Sequence, residues 1–181
     1  RSGRVTGVQT CALPILRNGR SHSVALLAMC VAAAMLLSFV ESRIPTFIPV
    51  PGVRIGLANI AVLLALRRLG LPSAAAVSLV RVLISALLFG NVVALIYGLS
   101  GAVLSLLSMY LLLRFCRALG TVGVSVAGGV MHNVGQLAAA CLVMGTGVLY
   151  YLPVLIISGT VAGVLTGLLC GELLRRTEKI K

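Results

Sequence analysis

Residues 121–145 read "TVGVSVAGGVMHNVGQLAAACLVMG" and contain no Asp, Glu, Lys or Arg. At about 1.5 Å per residue, a helix of this length measures about 37 Å, enough to cross the roughly 30 Å hydrocarbon layer of a bilayer. The run therefore predicts a membrane-spanning helix. Its centre nevertheless carries three polar side chains, His132, Asn133 and Gln136, and each is costly in lipid unless it has a hydrogen-bonding partner.

The composition extends this prediction to the whole chain. The 181 residues are 60% hydrophobic, with a mean hydropathy of +1.14, and the three acidic residues are all Glu. A soluble domain of this length could not bury so much apolar surface. Helices satisfy their own backbone hydrogen bonds in lipid, so we predict an all-α integral membrane protein.

Six apolar segments follow one another along the chain. They lie at about residues 23–42, 53–68, 72–89, 91–113, 121–145 and 150–174. Arg and Lys cluster before the first segment, at every second connection and after the sixth segment. The positive-inside rule then predicts a six-transmembrane-helix bundle with both termini cytoplasmic. The net charge of +12 thus indicates membrane topology and lipid contact, and no nucleic-acid partner.

The first sixteen residues, "RSGRVTGVQTCALPIL", differ from the rest of the chain. They are too short and too mixed for a signal peptide, and they resemble a translated sequencing-adaptor read-through. We expect residues 1–16 to be non-native and residues 17–181 to form a single six-helix membrane domain.

Two ionisable residues lie at similar predicted depth within the membrane. Arg81 lies about 15 Å into the third segment and His132 about 18 Å into the fifth, both counted from the cytoplasmic side. Glu41, the one acidic residue outside the C-terminal tail, is expected nearer the surface than Arg81. We therefore expect an anionic ligand group, a carboxylate or a phosphate, beside the guanidinium. Backbone carbonyls or water are the alternative partners.

These polar residues define a predicted substrate-binding site. His132 and Gln136 share a helical face because they are four residues apart. The site is expected to be lined by Arg81, His132, Asn133 and Gln136, with Asn59 and Arg54 towards its mouth. The alternative is that the His, Asn and Gln side chains form interhelical hydrogen bonds that hold the bundle together.

Two patterns of small residues predict close helix contacts. In the sixth segment a glycine recurs at every fourth position, which puts all four on one face: Gly159, Gly163, Gly167 and Gly171. In the first segment Ala28 and Ala32 form a similar pair, and spacing alone favours packing within the chain.

Sequence signatures of catalysis are absent. The chain has no GxxxxGK[ST] phosphate loop, no HExxH motif and no Cys/His spacing typical of a metal site. It also lacks the clustered carboxylates that hold Mg²⁺. We predict no metal, no cofactor and no catalytic residue, and thus a protein that binds or carries a ligand rather than an enzyme.

Four stretches resemble a known family: "VPGVRIGLANI", "LVRVLISALLFGN", "GVSVAGGVMHNVGQL" and "YYLPVLIISGTVAGVLTGLL". Over about residues 22–176 the chain resembles the bacterial Gx transporter family, also labelled heptaprenyl diphosphate synthase component I. That family is similar to the substrate-binding components of energy-coupling-factor transporters. The resemblance implies six helices in the bacterial cytoplasmic membrane, a transmembrane coupling subunit and cytoplasmic ATPases as partners. Ala28 and Ala32 match an Ala-xxx-Ala pair that faces the coupling subunit.

The resemblance leaves two functions open. The first is a substrate-binding subunit for uptake of a small, anionic metabolite. The second is a non-catalytic membrane partner of a heptaprenyl (polyprenyl) diphosphate synthase, since prenyl diphosphate synthesis relies on Asp-rich Mg²⁺ motifs and this chain has no Asp.

Overall fold

The computed structural model describes residues 19–43, 56, 58–89, 92–116 and 119–178, and these fold almost entirely into helices. The elements in chain order are α1 (Gly19–Arg43), α2 (Asn59–Arg68), α3 (Leu71–Phe89), α4 (Val92–Phe115), α5 (Thr121–Met144), a short 3₁₀ helix (Thr146–Tyr151) and α6 (Leu152–Glu178). No strand occurs within these ranges, and the predicted all-α class is confirmed. The segment predicted to be non-native, residues 1–16, lies outside the described residues.

Five of the helices, α1 and α3 to α6, are long and apolar enough to cross a membrane. Their outer faces carry large exposed apolar side chains, among them Leu87, Leu142 and Ile157. Such a surface is unfavourable in water, whereas lipid solvates it. The chain is therefore a multi-pass membrane protein.

The second helix differs from the other five. α2 has ten residues and measures about 15 Å, half the thickness of the hydrocarbon layer. Seven of its ten residues are buried. Six of these seven, all except Asn59, form the main core together with Ala34 of α1, Val77 of α3 and Met109 of α4. The second segment was predicted to begin near residue 53, and residues 53–55 lie outside the described ranges.

A tight turn joins α2 to α3. The backbone N–H groups of Leu69 and Gly70 both donate to the carbonyl of Ala65, at 2.8 and 3.1 Å. Gly70 has a φ of 89°, a conformation that disfavours any residue with a Cβ. Pro72 follows in the first turn of α3, where no backbone N–H is required. The glycine therefore ends one helix, and the proline lies in the first turn of the next.

Glycines bring α5 into backbone contact with both of its neighbours. A Cβ on Gly135 would lie 2.7 Å from the carbonyl oxygen of Ser100 on α4. A Cβ on Gly129 would lie 2.5 Å from the carbonyl oxygen of Gly159 on α6. No larger residue fits at these distances, and small residues are what allow membrane helices to approach so closely. The polar centre of α5 consequently lies inside the bundle.

The glycine face of α6 contacts α5 over most of its length. Gly159, Gly163 and Gly167 each lie against the backbone of α5, and a Cβ on Gly167 would lie 2.7 Å from the Cα of Val122. No described atom outside its own helix comes within 4 Å of a Cβ placed on Gly171. The close contact thus includes three of the four glycines and ends before the last.

The small-residue pair of α1 lies outside this core. α1 packs inward through Cys30 and Ala34, which are almost fully buried. Ala28 and Ala32 are exposed. The described residues therefore do not show the packing of Ala28 and Ala32 within the chain that their spacing alone favoured.

Candidate functional site

The polar trio of α5 faces the interior of the bundle. His132, Asn133 and Gln136 are each at most 6% exposed. The amide nitrogen of Gln136 lies 3.2 Å from the Nε2 atom of His132, one helical turn away. Either side chain can be the donor in this contact, since the roles of the ring nitrogens depend on the tautomer of His132.

Asn133 forms hydrogen bonds to a neighbouring helix, whereas the contact between His132 and Gln136 lies within α5. Its amide nitrogen donates to the carbonyl oxygen of Leu155 at 2.8 Å and to the hydroxyl of Ser158 at 3.3 Å, both on α6. Interhelical hydrogen bonds of this kind contribute about 0.6 kcal/mol on average in membranes. The contacts of Asn133 thus agree with the alternative role, in which a polar side chain forms interhelical hydrogen bonds that hold the bundle together.

Three helices contribute polar groups to one small cavity, named here the Arg81 cavity. Its volume is about 20 Å³. Arg81 and Ser85 come from α3, His132 and Gln136 from α5, and Glu41 from α1. Small and apolar residues complete the wall: Gly56, Val82, Ala86, Ala94 and Gly98. Three of the predicted site residues, Arg81, His132 and Gln136, therefore come together as the sequence predicts.

The position of Glu41 differs from the expectation. The sequence placed this carboxylate nearer the surface than Arg81, yet it is 7% exposed, Arg81 is 6% exposed, and both line the same cavity. The carboxylate accepts a hydrogen bond from the backbone N–H of Gly56. Gly56 lies three residues before α2, which begins at Asn59, so the end of α1 reaches the start of α2. Arg81 consequently has an acidic neighbour that the sequence did not assign to it.

A second cavity, the Asn59 cavity, lies on the α6 side of His132. Its volume is about 10 Å³. Asn59 and Asn133 line it, together with Thr166, whose hydroxyl is 2.7 Å from that of Ser125. His132 and Gly56 border both cavities. Asn59 therefore lies beside the predicted site, and Arg54 is outside the described residues.

The volumes of the two cavities show how little space they offer to a ligand. A water molecule occupies about 10–15 Å³ on this measure, so each cavity holds about one. Neither of these described cavities is therefore large enough, as it stands, for a metabolite.

Polar atoms in the wall of the Arg81 cavity keep hydrogen-bonding capacity. Within the part of the chain that the structure describes, the hydroxyl of Ser85 and the amide oxygen of Gln136 are buried and make no hydrogen bond. The sequence did not single out Ser85, although it lies one helical turn after Arg81 and so shares its face. Among the described residues, no three His, Cys, Asp or Glu side chains come together as a metal site would require.

Lipid-exposed helices around a buried polar cavity define a multi-pass membrane protein with a candidate ligand-binding site. The family model for heptaprenyl diphosphate synthase component I matches residues 30–173, and the chain belongs to this family. The sequence resemblance is thereby confirmed. No curated protein and no solved structure matches the chain.

Proposed function

We propose that the protein is the substrate-binding membrane subunit of an energy-coupling-factor-like transporter, and that it takes up a small metabolite with an anionic group. The observation that carries this proposal is the Arg81 cavity, in which Arg81, His132 and Gln136 converge from two helices. Buried ionisable residues in a membrane protein are costly, and their usual explanation is a functional site. Arg81, His132 and Gln136 would hold the ligand, with Asn133, Asn59 and Arg54 nearby.

The proposed topology has six spans, both termini in the cytoplasm and a place in the bacterial cytoplasmic membrane. Here α2 and the residues before it form the second span. The contacts at the ends of the helices support this arrangement. Arg68 at the end of α2 donates to the carbonyl of Leu174 near the end of α6, at 3.2 Å. A surface pocket also brings Leu66 of α2 beside Arg114 of α4. The basic ends of three helices thus meet at one end of the bundle, as the positive-inside rule requires.

The proposed partners are a transmembrane coupling subunit and cytoplasmic ATPases. Ala28 and Ala32 are exposed on α1, where another backbone can approach closely. We assign this face to the coupling subunit. The protein itself binds its substrate and catalyses no reaction in this proposal, and it needs no metal or cofactor.

The test is affinity purification of the tagged chain from native bacterial membranes in a mild detergent, read by protein mass spectrometry. We expect enrichment of ABC-type ATPases together with a second multi-pass subunit. Enrichment of a soluble prenyl diphosphate synthase without those ATPases would overturn the transporter proposal. It would support the second function, a non-catalytic membrane partner of a heptaprenyl (polyprenyl) diphosphate synthase.

A further inference from the structure

The Arg81 cavity contains fixed charges of both signs. Arg81 of α3 and Glu41 of α1 line it, and they are 6% and 7% exposed. They are the two charged side chains among the described residues of its wall. Ser85 and Gln136 add no charge. The opposite charges of Arg81 and Glu41 therefore balance each other in the described wall before any ligand enters.

This neutrality restricts the charge of a ligand. In a water-poor, low-dielectric interior an uncompensated charge is expensive, and it needs a partner of opposite sign. A purely anionic ligand beside Arg81 would leave the carboxylate of Glu41 close to a second negative charge. A ligand with one anionic and one cationic group adds no net charge, and each of its groups meets a side chain of opposite sign.

The hydrogen-bonding atoms of the wall point to the same class of ligand. The amide oxygen of Gln136 can only accept, and within the described chain it accepts nothing. It lies on a side chain that is 6% exposed, beside a cavity with room for about one water molecule. An ammonium group supplies three donors, whereas a carboxylate or phosphate supplies none when fully ionised. A ligand that carries both a donor and an anionic group therefore suits the acceptor of Gln136 and the guanidinium of Arg81 together.

We infer that the Arg81 cavity binds a small zwitterion of the amino-acid type, with an ammonium and a carboxylate or similar anionic group. The ammonium is held by Glu41 and the amide oxygen of Gln136, and the anionic group by Arg81. Ser85 can donate to the anionic group or accept from the ammonium. This inference rests on the proposed function and names the substrate class for that site.

The test compares the small molecules that three versions of the full chain retain from a bacterial metabolite extract. The tagged chain, the Glu41→Gln variant and the Glu172→Gln variant are purified in mild detergent, incubated with the extract, washed, and denatured for mass spectrometry. Glu172 is a matched control, because it is exposed and pairs with Arg176 at 2.8 Å on the surface. We expect a zwitterion on the unchanged chain and on Glu172→Gln, and at least tenfold less on Glu41→Gln.

The other possible results of this retention experiment test the ligand class, the role of Glu41 and the proposed function separately. Retention of a purely anionic compound would overturn the inference and leave the proposed function standing. Equal retention of a zwitterion by Glu41→Gln would overturn the role of Glu41. If no compound binds the unchanged chain, the proposed function fails together with the inference. If Glu41→Gln does not insert, the charge class of the compound held by the unchanged chain still decides the question.

Discussion

At the scale of single residues, the polar side chains of the bundle divide into two groups. Asn133 is engaged with the carbonyl of Leu155 and holds α5 to α6. Arg81, Gln136 and Ser85 line a cavity, and within the described chain the amide oxygen of Gln136 and the hydroxyl of Ser85 make no hydrogen bond. The residue type alone does not separate these roles, since Asn133 and Gln136 carry the same amide group.

The Arg81→Ala variant should lose the ligand without losing insertion. Removal of one partner of a buried charged contact costs about 2 kcal/mol or more, which is about thirtyfold in affinity. We expect the retained metabolite to fall by at least that factor in the mass-spectrometric assay, with an unchanged amount of protein in the membrane fraction. Arg114→Ala is the control, because Arg114 is exposed at the end of α4. Unchanged retention in Arg81→Ala would contradict the assignment.

The glycines of α6 allow a matched test of packing. Gly167→Ala places a methyl group 2.7 Å from the Cα of Val122, so the two backbones must separate. We expect a loss of about 1–3 kcal/mol in the free energy of unfolding, measured by circular dichroism during denaturation in detergent. Gly171→Ala meets no described atom within 4 Å and should be neutral or slightly stabilising, because alanine favours helix. Equal effects of the two variants would contradict the packing shown here.

At the scale of elements, the short helix α2 determines where the site lies. Gly56, three residues before α2, donates its backbone N–H to Glu41 and borders both cavities. In a regular helix that continued back past Gly56, this N–H would be used within the helix and would not reach Glu41. The polar cavity thus depends on the late start of α2.

The exposed face of α1 should be needed for assembly and not for folding. We expect the double variant Ala28→Leu and Ala32→Leu to insert normally and to lose the coupling subunit in the affinity purification, because larger side chains prevent close backbone approach. Ala138→Leu is the control, since Ala138 is an exposed alanine on α5. Normal recovery of the coupling subunit by the α1 variant would show that the partner binds elsewhere.

At the scale of the whole molecule, the direction of the bundle in the membrane can be measured directly. Thr146 begins the exposed 3₁₀ helix on the proposed outer side, and Cys116 is exposed at the opposite end. In intact cells, and in a chain whose other cysteines are replaced by alanine, Thr146→Cys should react with a membrane-impermeant maleimide, while a chain with Cys116 as its single cysteine should react only after permeabilisation. The reverse pattern would place the termini outside and refute the proposed topology.

The sequence by itself determined the class of the protein, because apolar runs long enough to cross a bilayer can be satisfied only as helices. It also predicted that Arg81 and His132 lie at similar depth, because depth along a regular helix follows from residue number, and both line one cavity with Gln136. Tertiary structure alone placed Glu41 in that cavity and left Ala28 and Ala32 exposed. These features depend on where α2 begins and on how α1 is rotated against its neighbours. Such contacts join residues far apart in the chain, and neither periodicity nor charge pattern encodes them.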